Sequence, residues 1–170
     1  MRARVIPRER HKFVEEYQRS LIAAQGYCEL SMFDDALEEL DSLPAEAQHH
    51  PIVVEMRLVA LMQAHRWPLA LAAAQELCRL RSDAPSGFIH AAFCLHELGR
   101  TAEAREMLLK GPPTIDAESN YHYNLACYEC VLGNLDSAQV HLKKSFTMDA
   151  KYREYAKTDP DLRALHSARR

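Results

Sequence analysis

The sequence predicts an all-α fold built from repeated pairs of antiparallel helices. Alanine and leucine account for 24 and 21 of the 170 residues, whereas valine, isoleucine and threonine together account for only 16. Because β-branched side chains lose rotamer freedom in helices and favour strands, this balance indicates helix. Only five glycines are present, too few for a loop-rich or all-β fold. A pattern of small and apolar residues with a spacing of 34 divides the chain into similar units.

The repeat consists of several columns of residues, each spaced by 34 positions. One column is alanine: Ala36, Ala70, Ala104 and Ala138. Five positions earlier stands a turn column: Ser31, His65, Gly99 and Gly133. Nine positions before the alanines stand Tyr27, Leu61, Leu95 and Glu129. Glycine ends a helix readily at positive φ, so each unit is predicted to be two helices joined by a short turn. Stacking such amphipathic pairs would bury a continuous core.

Two segments carry the clearest form of the repeat. Residues 123–128 read Tyr-Asn-Leu-Ala-Cys-Tyr, with Leu-Gly-Asn-Leu-Asp-Ser-Ala at 132–138, and the preceding unit has Leu-Gly-Arg-Thr-Ala-Glu-Ala at 98–104. With the 34-residue period, these motifs resemble tetratricopeptide repeats. The resemblance implies one domain over 1–170, a right-handed superhelix of antiparallel helix pairs. Its predicted parts are an N-terminal arm and helix extension (1–16), repeats at 17–50, 51–84, 85–118 and 119–150, and a capping helix with tail (151–170).

The second repeat departs from this pattern at three positions. Leu58 stands where a small residue is usual and Ala74 where a large one is usual, which we interpret as an exchange of volume within one helix pair. Arg57 replaces an apolar residue and is expected to extend to solvent or to pair with an acid. Trp67, at the start of the second helix, is predicted to be a core residue.

Both ends of the array carry additional helix signals. Val14, Tyr17, Leu21 and Ala24 keep helical spacing, so the first helix should start near Arg8 and run to about Ser31. The N-terminal arm and the start of this helix are basic, with Arg2, Arg4, Arg8, Arg10 and Lys12. At the other end, Asp159 as N-cap and Pro160 as first helical residue predict a short helix to about Ser167. The last apolar face should be covered by Tyr152, Tyr155, Leu162 and Leu165.

Charge and apolar patterning argue against several classes of protein. The net charge is −3 and the pI about 6.3, so there is no global basic field to attract nucleic acid or an anionic membrane. The longest apolar run, 67–74, is too short to span a membrane. The N-terminus has no apolar stretch like that of a secretory signal. Five cysteines without disulfide-scaffold density indicate reduced thiols, and we expect a cytoplasmic protein.

No catalytic motif is present, and the repeats use nearly the whole chain, so the protein is predicted not to be an enzyme and to need no cofactor. Cys127 and Cys130 lie three residues apart, which places both thiols on one face of a helix, with His96 on the neighbouring first helix. A zinc site from these three residues is conceivable. Adjacent helices lie roughly 8–10 Å apart, however, so packing is favoured and no metal is predicted. The His49–His50 pair is predicted to be in a loop.

The resemblance also implies where a partner would bind, because first helices of successive tetratricopeptide repeats line a concave groove. Asn124 matches an asparagine that commonly bonds the peptide backbone in the family. The predicted groove residues are Gln25, Glu29, Glu55, Val59, Met62, Ile89, Phe93, His96, Glu97, Asn120, Tyr123, Asn124, Cys127 and Val131. None is lysine or arginine, which argues against a clamp for acidic chaperone tails. Alternatively, parts of this strip are core, or are covered by the protein's own termini or by a second copy in a homodimer.

The function predicted from the sequence is a non-enzymatic adaptor that binds a protein or peptide partner in this groove. A close alternative is a chaperone for a secreted protein, because some secretion chaperones are single domains of these repeats. Two further alternatives are a nucleic-acid-binding helical repeat protein, disfavoured by the 34-residue period and the acidic charge, and a small Cys/His metalloprotein.

Overall fold

The computed structural model describes residues 8–167, except for the side chains of residues 8–11, 14 and 167. Arg2 and Arg4 of the basic arm, and the side chains of Arg8, Arg10 and Val14, therefore lie outside the described residues. Within the described range the chain forms eleven α-helices and two short 3-10 helices, and no strand. The predicted all-α class is confirmed, and the first helix begins at Arg8 as expected.

The helices follow one another with short connections. The α-helices are α1 (Arg8–Glu29), α2 (Phe33–Asp41), α3 (Ala45–Gln48), α4 (Pro51–Gln63), α5 (Trp67–Leu80), α6 (Pro85–Glu97), α7 (Thr101–Leu109), α8 (Ser119–Val131), α9 (Leu135–Met148), α10 (Tyr152–Thr158) and α11 (Arg163–Ser167). The 3-10 helices are Pro113–Ala117 and Pro160–Leu162. The chain divides into two compact units, Met1–Arg66 and Trp67–Arg170, with the division inside the segment predicted as the second repeat.

In the first unit, α1, α2 and α4 pack against one another. Their shared core includes Leu21, Ala24, Leu40 and Val53. Arg57 on α4, an apolar position in the predicted repeat, donates from Nη2 to Asp41 Oδ1 at 2.8 Å. The expectation that this arginine pairs with an acid is therefore confirmed.

The first helix of each predicted repeat ends in the same turn. The turn-column residues all have positive φ: Ser31 (60°), His65 (54°), Gly99 (76°) and Gly133 (85°). In the third repeat the Gly99 N–H donates to His96 O at 2.8 Å and the Arg100 N–H to Leu95 O at 2.9 Å. These two bonds define a Schellman motif, which satisfies carbonyls that a helix end leaves free. The bond that spans five residues is present in all four turns. Its acceptor is always the backbone carbonyl of the residue nine positions before the column alanine: Tyr27, Leu61, Leu95 and Glu129.

The turn also starts the second helix and fixes which residue enters the core. The residue after the positive-φ position accepts from the backbone N–H of the column alanine at 3.0 Å in three turns: Met32 from Ala36, Arg100 from Ala104 and Asn134 from Ala138. All four column alanines have 0% exposure. A small side chain at this point lets the paired helices approach closely, as α1 and α2, α6 and α7, and α8 and α9 do.

Replacing glycine by alanine should lower the free energy of unfolding at this turn and raise it inside a helix. At Gly99 an added Cβ would meet no atom within 4 Å, so Gly99→Ala changes only the backbone preference at φ 76°. We expect it to lower the free energy of unfolding by about 1 kcal/mol, the order of the left-handed penalty. Gly26 also has free space around it but lies within α1, so Gly26→Ala should raise stability by up to about 1 kcal/mol. Urea unfolding of both variants checks this, and equal effects would contradict the assignment of the turn.

The second unit is built from α5 to α11, with close contact between α5 and α6. A Cβ added at Gly87 would lie 2.8 Å from the backbone nitrogen of Cys78, so glycine is needed where these helices meet. Further along the unit, α6 packs on α7, α8 on α9, and α6 on α8. Trp67 is half-buried, edge-on to Phe93 with ring centroids 5.9 Å apart, rather than fully in the core.

A buried ion pair joins α7 to the end of α8. Glu129 is 4% exposed, and it accepts from Arg105 Nε at 2.8 Å and from Asn134 Nδ2 at 2.7 Å. Burial alone would raise the pKa of Glu129, but these two hydrogen bonds hold it below its usual value. The charged residue in an otherwise apolar column is therefore compensated by residues of the adjacent helix and turn.

Two histidines meet where α8 packs on α9. His122 Nε2 lies 3.0 Å from the carbonyl oxygen of Asp116, so this nitrogen must carry the proton and donate it. In neutral His122 the other nitrogen, Nδ1, is then an acceptor, and it lies 3.1 Å from His141 Nδ1. Burial lowers the pKa of both histidines, and Asp116, Glu129 and Lys144 are the charged groups that act on the pair.

This pair should make the second unit sensitive to acid. Since the folded pKa values lie below the unfolded value of about 6.5, the contribution to stability is complete above that pH and is lost as the pH falls. We expect the free energy of unfolding to decrease between pH 7.5 and pH 5. His141→Gln keeps an amide donor for His122 but does not titrate there, so it should reduce the slope. A parallel decrease in this variant, measured by urea unfolding at both pH values, would contradict the assignment.

The C-terminal cap forms largely as predicted. Asp159 Oδ1 accepts from the Asp161 N–H at 2.9 Å, and Pro160 begins a 3-10 helix that continues into α11 as far as Ser167. Tyr152, Leu162 and Leu165 are buried, as expected for a cap. Tyr155 is 55% exposed, so the prediction that it covers the apolar face is wrong. Its neighbour Tyr152 takes that role, because Tyr152 stacks on Tyr123 of α8 at 4.7 Å.

Candidate functional site

Helices α6 and α8 bring together six of the predicted groove residues around one cavity of the second unit. The cavity has a volume of about 420 Å³, within the usual range for ligand sites. The six residues are Phe93, His96, Glu97, Tyr123, Asn124 and Cys127. The remaining predicted positions of these helices, Ile89, Asn120 and Val131, do not line it. Ile89 is buried, whereas Val131 is exposed.

The predicted positions of the first unit form a separate group on α1 and α4. Gln25 and Glu29 are both exposed, and Gln25 Nε2 donates to Glu29 Oε1 at 3.0 Å. On α4, Val59 is exposed, while Glu55 and Met62 are half-buried. These residues therefore present a partly apolar, acidic surface on the first unit.

The protein's own C-terminal segment forms one wall of the cavity in the second unit. Tyr155 and residues 158–161 line it together with α6 and α8. Of the predicted groove residues on α8, Tyr123 and Cys127 are buried and both contact this segment. The alternative that one of the protein's own termini covers part of the groove therefore applies at Tyr123 and Cys127.

Asp159 is the residue that fastens the segment to α8. Its Oδ2 accepts from the Tyr123 hydroxyl at 2.7 Å and lies 3.6 Å from the Cys127 thiol sulfur. Burial, with the nearby aspartates adding to it, raises the pKa of Cys127 far above its usual value. Burial and the bond to Asp159 likewise raise the pKa of Tyr123. Cys127 is therefore a protonated thiol and lacks the thiolate character of a reactive cysteine.

His96 fastens the following turn of the segment to α6. Its Nε2 lies 2.9 Å from Asp161 Oδ2, and its Nδ1 lies 3.0 Å from the Thr101 hydroxyl. The hydrogen bond to Asp161 raises the pKa of His96, although burial acts in the opposite direction. His96 is thus held between two elements and its ring cannot turn freely toward a ligand.

The side chains left available in the cavity are aromatic, amide and acidic. The Asn124 amide makes no hydrogen bond among the described residues, and Glu97 is exposed at the rim. Phe93 and Tyr155 supply aromatic surface. Among residues 8–167, no lysine or arginine lines this cavity. The arrangement suits a ligand that offers apolar groups, a backbone amide or a positive charge.

The structure does not bring together the zinc ligands considered from the sequence. Among the described residues, the one group of three metal-ligating side chains is Cys127, Asp159 and Asp161, which includes neither Cys130 nor His96. Sequence reasoning missed both aspartates as members of this site. The signal in the sequence is the Asp-Pro-Asp motif at 159–161, whose role as a helix cap does not by itself indicate a contact with α8. His50 has a local role as well, since its Nδ1 accepts from the Ile52 N–H at the start of α4.

Comparison with solved structures identifies the fold. TTC0263, a thermophilic TPR protein from Thermus thermophilus, shares 16% identity, with 89% of this chain and 84% of that chain covered, at a TM-score of 0.69. A structure titled MamA MSR-1 C2 shares 19% identity over 79% and 78% of the two chains, at a TM-score of 0.66. The fold is that of tetratricopeptide-repeat proteins.

A third similar structure is YrrB, described as a TPR protein with an unusual peptide-binding site. It shares 17% identity with this chain over 92% of this chain and 86% of that one, at a TM-score of 0.65. The sequence matches no protein-family model and no curated protein. None of the helices in the described range is both long and apolar enough to cross a membrane.

If the C-terminal segment covers Cys127, then loosening the segment should expose its thiol. Leu162 is 0% exposed in the cap, so Leu162→Ala should cost about 2–5 kcal/mol in docking of the segment. Since 1.4 kcal/mol is a tenfold change in an equilibrium constant, alkylation of Cys127 should accelerate by at least about tenfold. Mass spectrometry after a pulse of alkylating reagent measures each cysteine separately.

Two controls accompany this labelling experiment. Cys94 is fully buried on α6 and does not line this cavity, so its labelling rate reports global unfolding rather than release of the segment. Leu109→Ala changes an exposed leucine on α7 and should leave both rates unchanged. Equal acceleration at Cys94 and Cys127 in the Leu162 variant would show that the segment does not act as a local cover.

Proposed function

We propose that the protein is a non-enzymatic interaction module that binds an extended segment of a protein partner in the cavity between α6, α8 and the C-terminal segment. The observation that carries this proposal is the free amide of Asn124 beside aromatic surface in a cavity of about 420 Å³. An amide offers both donors and an acceptor and can pair with an extended backbone. The tetratricopeptide-repeat fold, and a similar protein described as having a peptide-binding site, support the class of partner.

The charge of the cavity favours a particular class of peptide. Glu97, Asp159 and Asp161 face it, and of the residues that the structure describes, His96 is the only basic one in its lining. We infer a preference for peptides that combine an apolar residue with lysine or arginine next to it, because like charges brought close together are penalised. An extended peptide also loses conformational entropy on binding, so the expected affinity is around micromolar.

The same charge argues against nucleic acid as the ligand. Phosphate backbones are bound through lysine and arginine, and neither residue lines the cavity within the described part of the chain. The first-unit surface at Gln25, Glu29, Glu55, Val59 and Met62 is proposed as a second, weaker contact region for the same class of partner. A homodimer and a cytoplasmic location remain predictions from the sequence.

The test is a binding measurement with a peptide array containing matched basic and acidic versions of each sequence. We expect basic versions to bind more tightly. Asn124→Ala should weaken the binding of all peptides, whereas Glu97→Lys should weaken the binding of the basic versions selectively, by about two- to fivefold for the loss of one surface charge pair. Both residues are at least partly exposed, so neither change should unfold the protein.

Val131→Ala is the matched control, because Val131 is an exposed residue of α8 that does not line the cavity. Loss of binding in this variant, with none in Asn124→Ala, would place the site on another surface. Equal binding of acidic and basic versions would overturn the charge preference. Co-purification of one secreted protein from the native host, with no binding of short peptides, would favour the chaperone alternative.

A further inference from the structure

Three potential metal ligands converge where the C-terminal segment meets α8. The Cys127 sulfur and one carboxylate oxygen each from Asp159 and Asp161 all lie within 4.8 Å of one another. Cys127 is buried and both aspartates are half-buried, so the group is enclosed rather than scattered on the surface. A small shift of side chains would bring the three atoms to the distances of about 2.0–2.3 Å that a zinc ion requires.

Within the described part of the chain, histidine is the only basic residue type that lines the cavity around this group. Glu97, Asp159 and Asp161 line the cavity with no lysine or arginine among the lining residues, and His96 is bound to only one of these carboxylates. Partly buried carboxylates are costly unless they are paired with a cation or well hydrogen-bonded. Here Asp159 accepts from the Tyr123 hydroxyl and the Asp161 N–H, and Asp161 is bonded to His96, so the carboxylates are held in place. A divalent ion would add positive charge where they converge.

A second and independent observation is the hydroxyl of Tyr128. This side chain lines the same cavity, is only 1% exposed, and its hydroxyl has no hydrogen-bond partner among the described residues. The Tyr128 ring lies 4.8 Å, centroid to centroid, from the ring of His96, which in turn is bonded to Asp161. A buried hydroxyl without a partner is unfavourable, and a water bound to a metal ion would provide one.

The surroundings of Asp161 also match the usual support of a metal ligand. Carboxylates that bind metals are commonly oriented by a hydrogen-bonded neighbour, and here His96 Nε2 holds Asp161 Oδ2 at 2.9 Å. The Thr101 hydroxyl in turn fixes the other ring nitrogen of His96. Asp161 is therefore held in place by α6.

We propose that Cys127, Asp159 and Asp161 form a binding site for a zinc-class divalent ion, with a water molecule as the fourth ligand. A thiolate ligand selects borderline-soft metals such as zinc over magnesium and calcium, which prefer oxygen ligands alone. Binding displaces the proton of the Cys127 thiol, so each ion bound releases about one proton to the solvent. No oxidation or reduction is involved.

The site would fix the C-terminal segment to α8 and so stabilise this end of the second unit. Any ion that binds the folded chain in preference to the unfolded one raises stability in proportion to the logarithm of its concentration. The proposal goes beyond peptide binding and does not depend on it, because the ligand atoms come from the cap and the inner face of α8.

The experiment uses the full chain, stripped with a chelator and then titrated by calorimetry with zinc chloride alone and, separately, with magnesium chloride. We expect one tight zinc equivalent, about one proton released in buffers of different ionisation enthalpy, and no magnesium binding. Cobalt(II) substitution should give a thiolate-to-cobalt charge-transfer band. Cys127→Ser should abolish that band, and Asp161→Asn should weaken zinc binding by at least about tenfold.

Cys130→Ser is the matched control, since Cys130 is also buried on α8 but lies outside the group of three ligands. It should keep the cobalt band and the zinc affinity. Three outcomes would overturn the proposal: no zinc binding, zinc binding without a thiolate band in the unaltered protein, or binding that persists unchanged in Cys127→Ser and Asp161→Asn. These measurements need no peptide. A negative result for metal binding therefore does not affect the peptide proposal, and a negative result for peptide binding does not affect the metal proposal.

Discussion

The structure depends on one type of tight turn, which ends α1, α4, α6 and α8. A residue at positive φ allows two backbone bonds to close the helix, and in three of the four turns the following residue accepts the N–H of the column alanine in the next helix. Because the number of residues between the turn and that alanine never changes, the alanine is buried in every case. The identity of the side chain at the turn matters less than its backbone conformation, since Ser31 and His65 adopt the same geometry as the two glycines.

This constraint explains why the sequence predicted the fold well. Three columns recur along the chain: the turn residues, the alanines, and the residues whose carbonyls accept the turn's hydrogen bond. All three are local features of the sequence, so their spacing alone predicts the helix pairs and the helix ends. The departures were also interpretable locally: Arg57 found an acidic partner, and Glu129 in an apolar column is compensated by Arg105 and Asn134. Tyr155 was the exception, because helical spacing does not determine which of two tyrosines in a short terminal helix faces inward.

The candidate site was predicted only in part, and for a physical reason. Periodicity placed Phe93, Asn124 and Cys127 on neighbouring first helices, and the structure brings them to one cavity. The residues that complete the cavity belong to a tail that does not repeat, so no column could align them. The contacts join Cys127 to a residue 32 positions later and His96 to one 65 positions later. Such pairings follow from how the tail folds back, which depends on Leu162 and Tyr152 entering the core.

The cap and the candidate site are therefore formed by the same segment, in which apolar residues are buried and acidic residues make polar contacts. Leu162 and Tyr152 hold the segment on α8 by burial, whereas Asp159 and Asp161 hold it through polar contacts and at the same time make the cavity acidic. A solenoid end has to cover its last apolar face, and here the segment that covers it also determines the charge that a ligand meets. Both proposed ligands, a basic peptide and a divalent cation, are favoured by that same negative charge. Changes in the cap should therefore alter stability and binding together, whereas changes at Asn124 or Glu97, outside these contacts, should alter binding alone.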